Sequence, residues 1–290
     1  MKKKLSIIIL TLACNLIFAQ INPKKCIASN KAQKELENNP EYVLMKQNLA
    51  NYQEENKGIM QQNQAIITIP VVIHIIHRNT HANIGTGTNI SNAQIEDQLR
   101  VLNKDFSKTN SEFPNPPRST FVSIAGNPQL QFCLATIDPN GNPTTGITRF
   151  STTKGSWDAD DDADSEAMKR ASTGGVDNWD PLRYLNMWVC NLSNSAGGGS
   201  TLGYAYKPGL QGSNQSWLDG IVVDYQAFGT IGSANSSDGR TPTHEIGHYL
   251  NLSHTFCSNG CGDCDNDNWG GNVDDTPACS DIYFGAVNSS

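Results

Sequence analysis

The sequence predicts a mixed-sheet fold, α/β or α+β, that ends on a helix carrying its candidate functional residues. Three observations predict it. A continuous β-branched run, Ile69–His77, suits a strand buried on both faces. A stretch with helical spacing, Ser91–Asp105, follows it. Several short apolar runs then lead to a last helical stretch beginning near Thr241. A strand, a helix, more strands and a final helix is the order expected of a mixed sheet with helices packed on it.

Each element has its own signal. Residues 1–19 read as a signal peptide, with Lys2, Lys3 and Lys4 as the basic start, Leu5–Phe18 apolar, and Ala19 a small residue before the cleavage point. The apolar stretch is short for a membrane span, and no later segment is apolar enough to be one. The expected location is extracellular or periplasmic. Residues 20–64 are rich in Lys, Glu, Asn and Gln and lack the apolar density of a core. They predict polar helices over Ala32–Lys46 and Met45–Glu55, split near Asn39-Pro40, as a pro-segment or a loosely docked arm. From Ile66 the character changes. In Ser91–Asp105 the residues Ile95, Leu99 and Leu102 share a face, and Ser91 is placed to cap it. Strands are expected over Gln129–Ala135, Leu185–Asn191, Leu202–Tyr206 and Gly220–Tyr225, with a Gly/Ser-rich loop at Ser193–Ser200.

The net charge of −7 implies no basic surface and argues against nucleic acid as a partner. Much of the acidity sits in Asp158–Glu166 and Asp263–Asp275. Asp158–Asp162 imitates the start of an EF-hand loop but lacks glycine at the sixth position and has Lys169 at the twelfth, so a solvated acidic loop is expected. Of eight cysteines, Cys14 leaves with the signal, and seven is an odd number to pair. Export favours disulfides among Cys257, Cys261, Cys264 and Cys279. Cys133 and Cys190 fall on expected strands, where they pair or are simply buried.

The most informative stretch is Thr241–His254. Thr241 is read as a cap and Pro242 as the first helical residue, where its missing N–H does no harm. His244 and His248 are four residues apart, about 400° around and about 6 Å along a helix, so both imidazoles leave one face. That spacing lets two ring nitrogens reach one Zn²⁺. Glu245 lies about 100° away, off that face but within reach of a water held by the metal. Asn251 is where the helix is expected to end, in the left-handed conformation Asn tolerates, so that the chain folds back and brings His254 to the metal. Three neutral histidines leave a fourth position open for water, the pattern of a catalytic zinc. Glu245 is then the general base of a hydrolysis.

The string H-E-x-x-H-x-x-N-x-x-H resembles the metzincin zinc motif, with Asn251 in place of the usual glycine. Ile69–His77, Phe132–Ala135, Asn140–Thr148, Leu185–Leu192, Leu202–Ala205, His254–Phe256 and Val273–Pro277 narrow the resemblance to the pappalysin family and its bacterial members, from about Cys26 to the end of the chain. The resemblance implies an α+β, metzincin-like fold: a twisted mixed sheet with an active-site helix in an upper catalytic subdomain, residues 65–254, and a lower subdomain beginning at residues 255–290. It implies a secreted zinc metalloendopeptidase acting on protein or peptide substrates. Leu202, Gly203, Tyr204 and Ala205 would form the cleft-edge strand that binds substrate backbone. Cys26 matches the cysteine-switch position, its thiolate holding the zinc of a zymogen. Calcium is implied as a second ion, with Asp274, Asp275 and Thr276 in the matching loop. The family carries a methionine turn beyond the third histidine, and no methionine follows Met187 here, so the chain reads as truncated in its lower subdomain.

Overall fold

The computed structural model describes residues 24–25, 27–56, 65–113, 125–195 and 200–254. In chain order these contain β1 (Lys24–Lys25), α1 (Ala28–Asn38), α2 (Pro40–Glu55), β2 (Ile67–Arg78), α3 (Asn92–Phe106), β3 (Leu130–Leu134), β4 (Ile147–Thr152), β5 (Trp157–Asp158), α4 (Asp162–Ala167), β6 (Leu185–Cys190), β7 (Leu192–Ser193), β8 (Ser200–Thr201), β9 (Gly203–Ala205), β10 (Ile221–Asp224) and α5 (Arg240–Tyr249).

The main sheet runs β3-β2-β6-β10-β9, with β4 also on β2. All its pairings are parallel except β9 against β10. The long β2 serves two partners on one edge. Its first half, Ile67–Val71, pairs with β3, and its second half, Ile73–Arg78, pairs with β4. Gly146 marks the handover: at φ +70 it passes so close to Ala135 that a Cβ would lie 2.7 Å from that residue's nitrogen. Parallel strands are covered on both sides, which is why β2 from Val71 to His77 and all of β6 are buried.

The pleat divides those side chains between two cores. Val71, Ile73 and Ile75 of β2 join Met187, Val189, Ile221 and Val223 under Ile95, Leu99 and Leu102 of α3 and Ile246 of α5. Ser91 caps α3 as expected, its hydroxyl accepting from the Gln94 N–H at 3.1 Å. On the opposite face Ile76, Trp188, Cys190, Tyr204 and Val222 pack with Trp157, Met168 and Leu218. Fully burying one such aliphatic side chain stabilises the fold by about 1.5–3 kcal/mol.

Three expectations need correction. The N-terminal helices break at Asn39, whose side chain caps α2, but they are closely docked: Ile27, Ala28, Ala32 and Tyr42 are buried. Few apolar residues suffice because lysines of α1 find carboxylates on the body of the protein. For the same reason the acidic stretch is no solvated loop. Asp161 caps α4, and Asp162 and Glu166 pair with Lys31 and Lys34. Finally, Cys133 and Cys190 are free thiols; Cys190 is buried with Sγ 3.2 Å from Met168 Sδ, and Cys133 is exposed at the sheet edge. The other cysteines, including Cys26, and the proposed signal peptide lie outside the described residues.

Candidate active site

The helix α5 begins two residues earlier than the Thr241 cap predicts. Gly239, at φ +72, occupies the cap position, and the Asp238 carboxylate accepts from the Arg240 N–H at 3.0 Å. Thr241 is thus already helical. Pro242 is third in the helix, still among the residues whose N–H has no helical acceptor. The Thr243 hydroxyl donates to Asp105 at 2.8 Å and the Arg240 guanidinium to Glu112 at 2.6 Å, tying the start of α5 to the end of α3 and the segment after it.

The far end follows the sequence reading closely. Asn251 has φ +76. Its N–H donates to the His248 carbonyl, and the Leu252 N–H to the Gly247 carbonyl, both at 2.9 Å. This crossed pair is a Schellman motif with asparagine in the left-handed position. The chain reverses there and returns His254 to the face of His244 and His248.

The three Nε2 atoms lie 3.0, 3.1 and 3.2 Å apart. Such a triangle has its centre about 1.8 Å from each nitrogen, inside the roughly 2.0–2.1 Å zinc–imidazole bond, so one ion slightly off the plane reaches all three. Among the described residues these histidines are the one group of three or more potential metal ligands. The His248 Nδ1–H donates to the Leu252 carbonyl at 2.8 Å, which leaves the Nε2 lone pair for a metal. Burial holds all three imidazoles below the ordinary value, His248 at about 4 and His254 at about 3, where the neighbouring rings add to the effect. The imidazoles are therefore neutral at pH 7.

Glu245 is 2% exposed, and its Oε2 is buried without a hydrogen-bond partner among the described residues. Burial pushes its carboxyl up to about 8. An orphaned buried carboxylate oxygen beside three converging imidazoles fits a centre completed by an ion and its water. Gly203 on β9 allows this closeness: a Cβ there would lie 2.9 Å from the Val222 carbonyl and 3.1 Å from Glu245 Cγ.

The structure therefore brings together His244, His248, His254, Glu245 and Gly203. β9 is the antiparallel end of the main sheet. The Tyr204 side chain packs in the opposite core, with its hydroxyl toward the Ser165 carbonyl at 3.4 Å. Ala205 lies on the α5 side and Leu202 is half-buried. Cys26, Asp274, Asp275 and Thr276 lie outside the described residues. Sequence reasoning missed the Leu252 carbonyl, which as a backbone group has no signature. It also missed Asp219, which is buried beneath α5 and accepts from the Tyr249 hydroxyl at 3.0 Å and from Gln211.

Comparison with known proteins points the same way. A family model described as Peptidase_M43, pregnancy-associated plasma protein-A, matches residues 170–289. An extracellular metalloprotease of Pyricularia oryzae is 30% identical over 226 residues, 76% of this chain and 60% of that protein. One from Arthroderma benhamiae is 28% identical over 217 residues, 74% of this chain and 56% of its own length. The chain thus spans 60% or less of these two curated relatives. Mature mirolysin of Tannerella forsythia, solved with a cleaved peptide, is 39% identical with a TM-score of 0.63, over 75% of this chain and 74% of that one. A promirolysin mutant of the same organism is 34% identical with a TM-score of 0.62, over 80% and 70%. On sequence, fold and the match to these structures, the chain belongs to the pappalysin family of metalloproteases.

Proposed function

We propose that this chain is a secreted zinc-dependent endopeptidase in which His244, His248 and His254 hold the metal and Glu245 is the general base. The observation that carries the reading is the convergence of three neutral Nε2 atoms within 3.2 Å of one another. Zinc bound there would supply a polarised water and a charge to stabilise the developing oxyanion. The protein's own part is proton handling and orientation. Glu245 Oε2 takes the proton that the attacking water sheds and returns it to the leaving amine. The backbone edge of Leu202–Ala205 would hold an extended peptide by strand addition. Residues 1–19 would be the signal, and residues 20–64 a pro-segment whose Cys26 thiolate caps the zinc. The extracellular naming of the fungal relatives supports export. No helix among the described residues is long and apolar enough to cross a membrane.

The test is Glu245→Gln. Zinc content by atomic emission should stay near wild type, while peptide turnover falls by about 10²–10⁴-fold. Turnover at the wild-type rate would refute the role of Glu245, and a chain that takes up no zinc would refute the metal.

A further inference from the structure

The N-terminal helices reach the metal centre by a contact that does not involve a thiol. Lys46 on α2 is buried and donates from Nζ to the side-chain oxygen of Asn251, itself buried. Asn251 is the left-handed residue that stops α5 and starts the reversal to His254. Glycine makes that turn with less strain, so asparagine at φ +76 is conspicuous; its carboxamide is what an ammonium needs and glycine lacks. A buried lysine is stable only with such acceptors around it.

The rest of the hairpin is fastened elsewhere. Lys31 Nζ donates to Asp162 at 2.6 Å and to Ser165 at 2.7 Å, and Lys34 to Glu166 at 2.8 Å. Asn39 donates to Gln215 at 2.7 Å, and the Asn214 N–H to Glu41 at 3.2 Å. The Tyr42 ring closes on Gly209, where a Cβ would stand 2.8 Å from it. These anchors set α2 so that Lys46 arrives at the turn.

We infer that Lys46 is a second latch on the metal centre, coupling the seating of α2 to the shape of the turn that carries His254. The inference rests on reading residues 20–64 as a pro-segment and adds a mode of regulation to that site. Removing α2 leaves Asn251 without its ammonium and loosens residues 250–252. Seating α2 tightens them, whatever the state of Cys26.

Hydrogen exchange on the full chain tests this, with Cys26→Ser as the background so that no thiol contributes. Lys46→Met should speed exchange of α2 and of the hydrogen-bonded amides of Leu250, Asn251 and Leu252 by about tenfold, the scale of one charge-assisted hydrogen bond. Zinc loaded into the variant should pass to a chelator faster by a similar factor. Unchanged exchange at residues 250–252, even with a looser α2, overturns the coupling. Asn251→Gly keeps the turn and removes only the acceptor; it should loosen α2 as much as Lys46→Met does, and wild-type exchange in α2 would overturn the latch. The exchange readout needs neither metal nor turnover. Failure of the protease reading would instead show as absent zinc or as turnover surviving Glu245→Gln.

Discussion

Residues 240–254 and residues 157–169 lie against opposite faces of one sheet and take their shapes from different distances along the chain. In the first, the backbone contacts that start the helix and reverse the chain after it are local. Asp238 meets Arg240, Asn251 and Leu252 meet His248 and Gly247, and the Leu252 carbonyl meets His248. In the second, the partners are distant: Asp162 is bound by Lys31, and the Lys169 ammonium sits over the Trp188 ring at 4.3 Å and near Tyr206 at 4.6 Å. A functional centre built from neighbours can be read from spacing. A docking face such as Lys31 on Asp162, 131 positions apart, is a run of charges until the fold supplies the other half.

The comparison can be broken at each end. The largest effect belongs to the local centre. His254→Ala should leave two imidazoles and lose stoichiometric zinc, with peptide turnover down by more than about 10²-fold. Retention of zinc with wild-type affinity would mean that the turn does not build the site.

The distant face should respond more mildly. Lys31→Gln with Lys34→Gln removes the ammonium partners of Asp162 and Glu166, of which Lys31 is buried and Lys34 half-exposed. Loss of one charge-assisted hydrogen bond costs about 1.5–3 kcal/mol where it is buried. Limited proteolysis should therefore cut first within α1 and α2 and leave the sheet intact. Acid should act likewise. Burial raises the Asp162 carboxyl, but Lys31 and Lys34 more than offset it, and the net shift is downward from 3.8. Its contribution to docking is present above that value and lost as pH falls through the lowered one. Cleavage in α1 and α2 should appear only in strongly acid solution for the wild type, and already at neutral pH for the double variant.

The smallest expected effect lies between the two regions, at Asp219. Burial pushes its carboxyl up to about 6, with the Tyr249 hydroxyl and the Lys169 ammonium partly offsetting it. The folded group holds its proton above the ordinary 3.8, so stability rises as pH falls through about 6 and levels off below the unfolded value. Between about pH 7 and pH 5 the gain is about 1 kcal/mol. Urea midpoints of the wild type should shift across that window relative to Asp219→Asn, whose neutral amide has no such slope. Parallel midpoints in the two proteins would remove Asp219 as the titrating group.

How much was legible follows the same division. Helical spacing and Ser91 placed α3, the β-branched run placed β2, and Asn251 marked the turn. The break at Asn39-Pro40 was equally local. The strand β4 was not legible: Ile147–Thr152 mixes polar and apolar residues without alternation and is a strand because β2 offers it an edge. Nor was α4, a six-residue helix whose capping aspartate looks like any other member of an acidic run. The start of α5 was misplaced because a left-handed glycine and an aspartate side chain do the work expected of Thr241. The three converging histidines were readable. The groups that orient them, a backbone carbonyl and a lysine on α2, were not.

The shared edge of β2 has a practical side. Between β3 and β4 the chain leaves the sheet at Leu134 and rejoins the same strand at Ile147, with an exposed turn held by the Asp138 carboxylate in between. Extra residues placed at that tip disturb no register on either side, and doubling the length of such a loop adds only about 0.6 kcal/mol of closure entropy. A tag or fluorophore grafted there would report on the protein while leaving both pairings untouched.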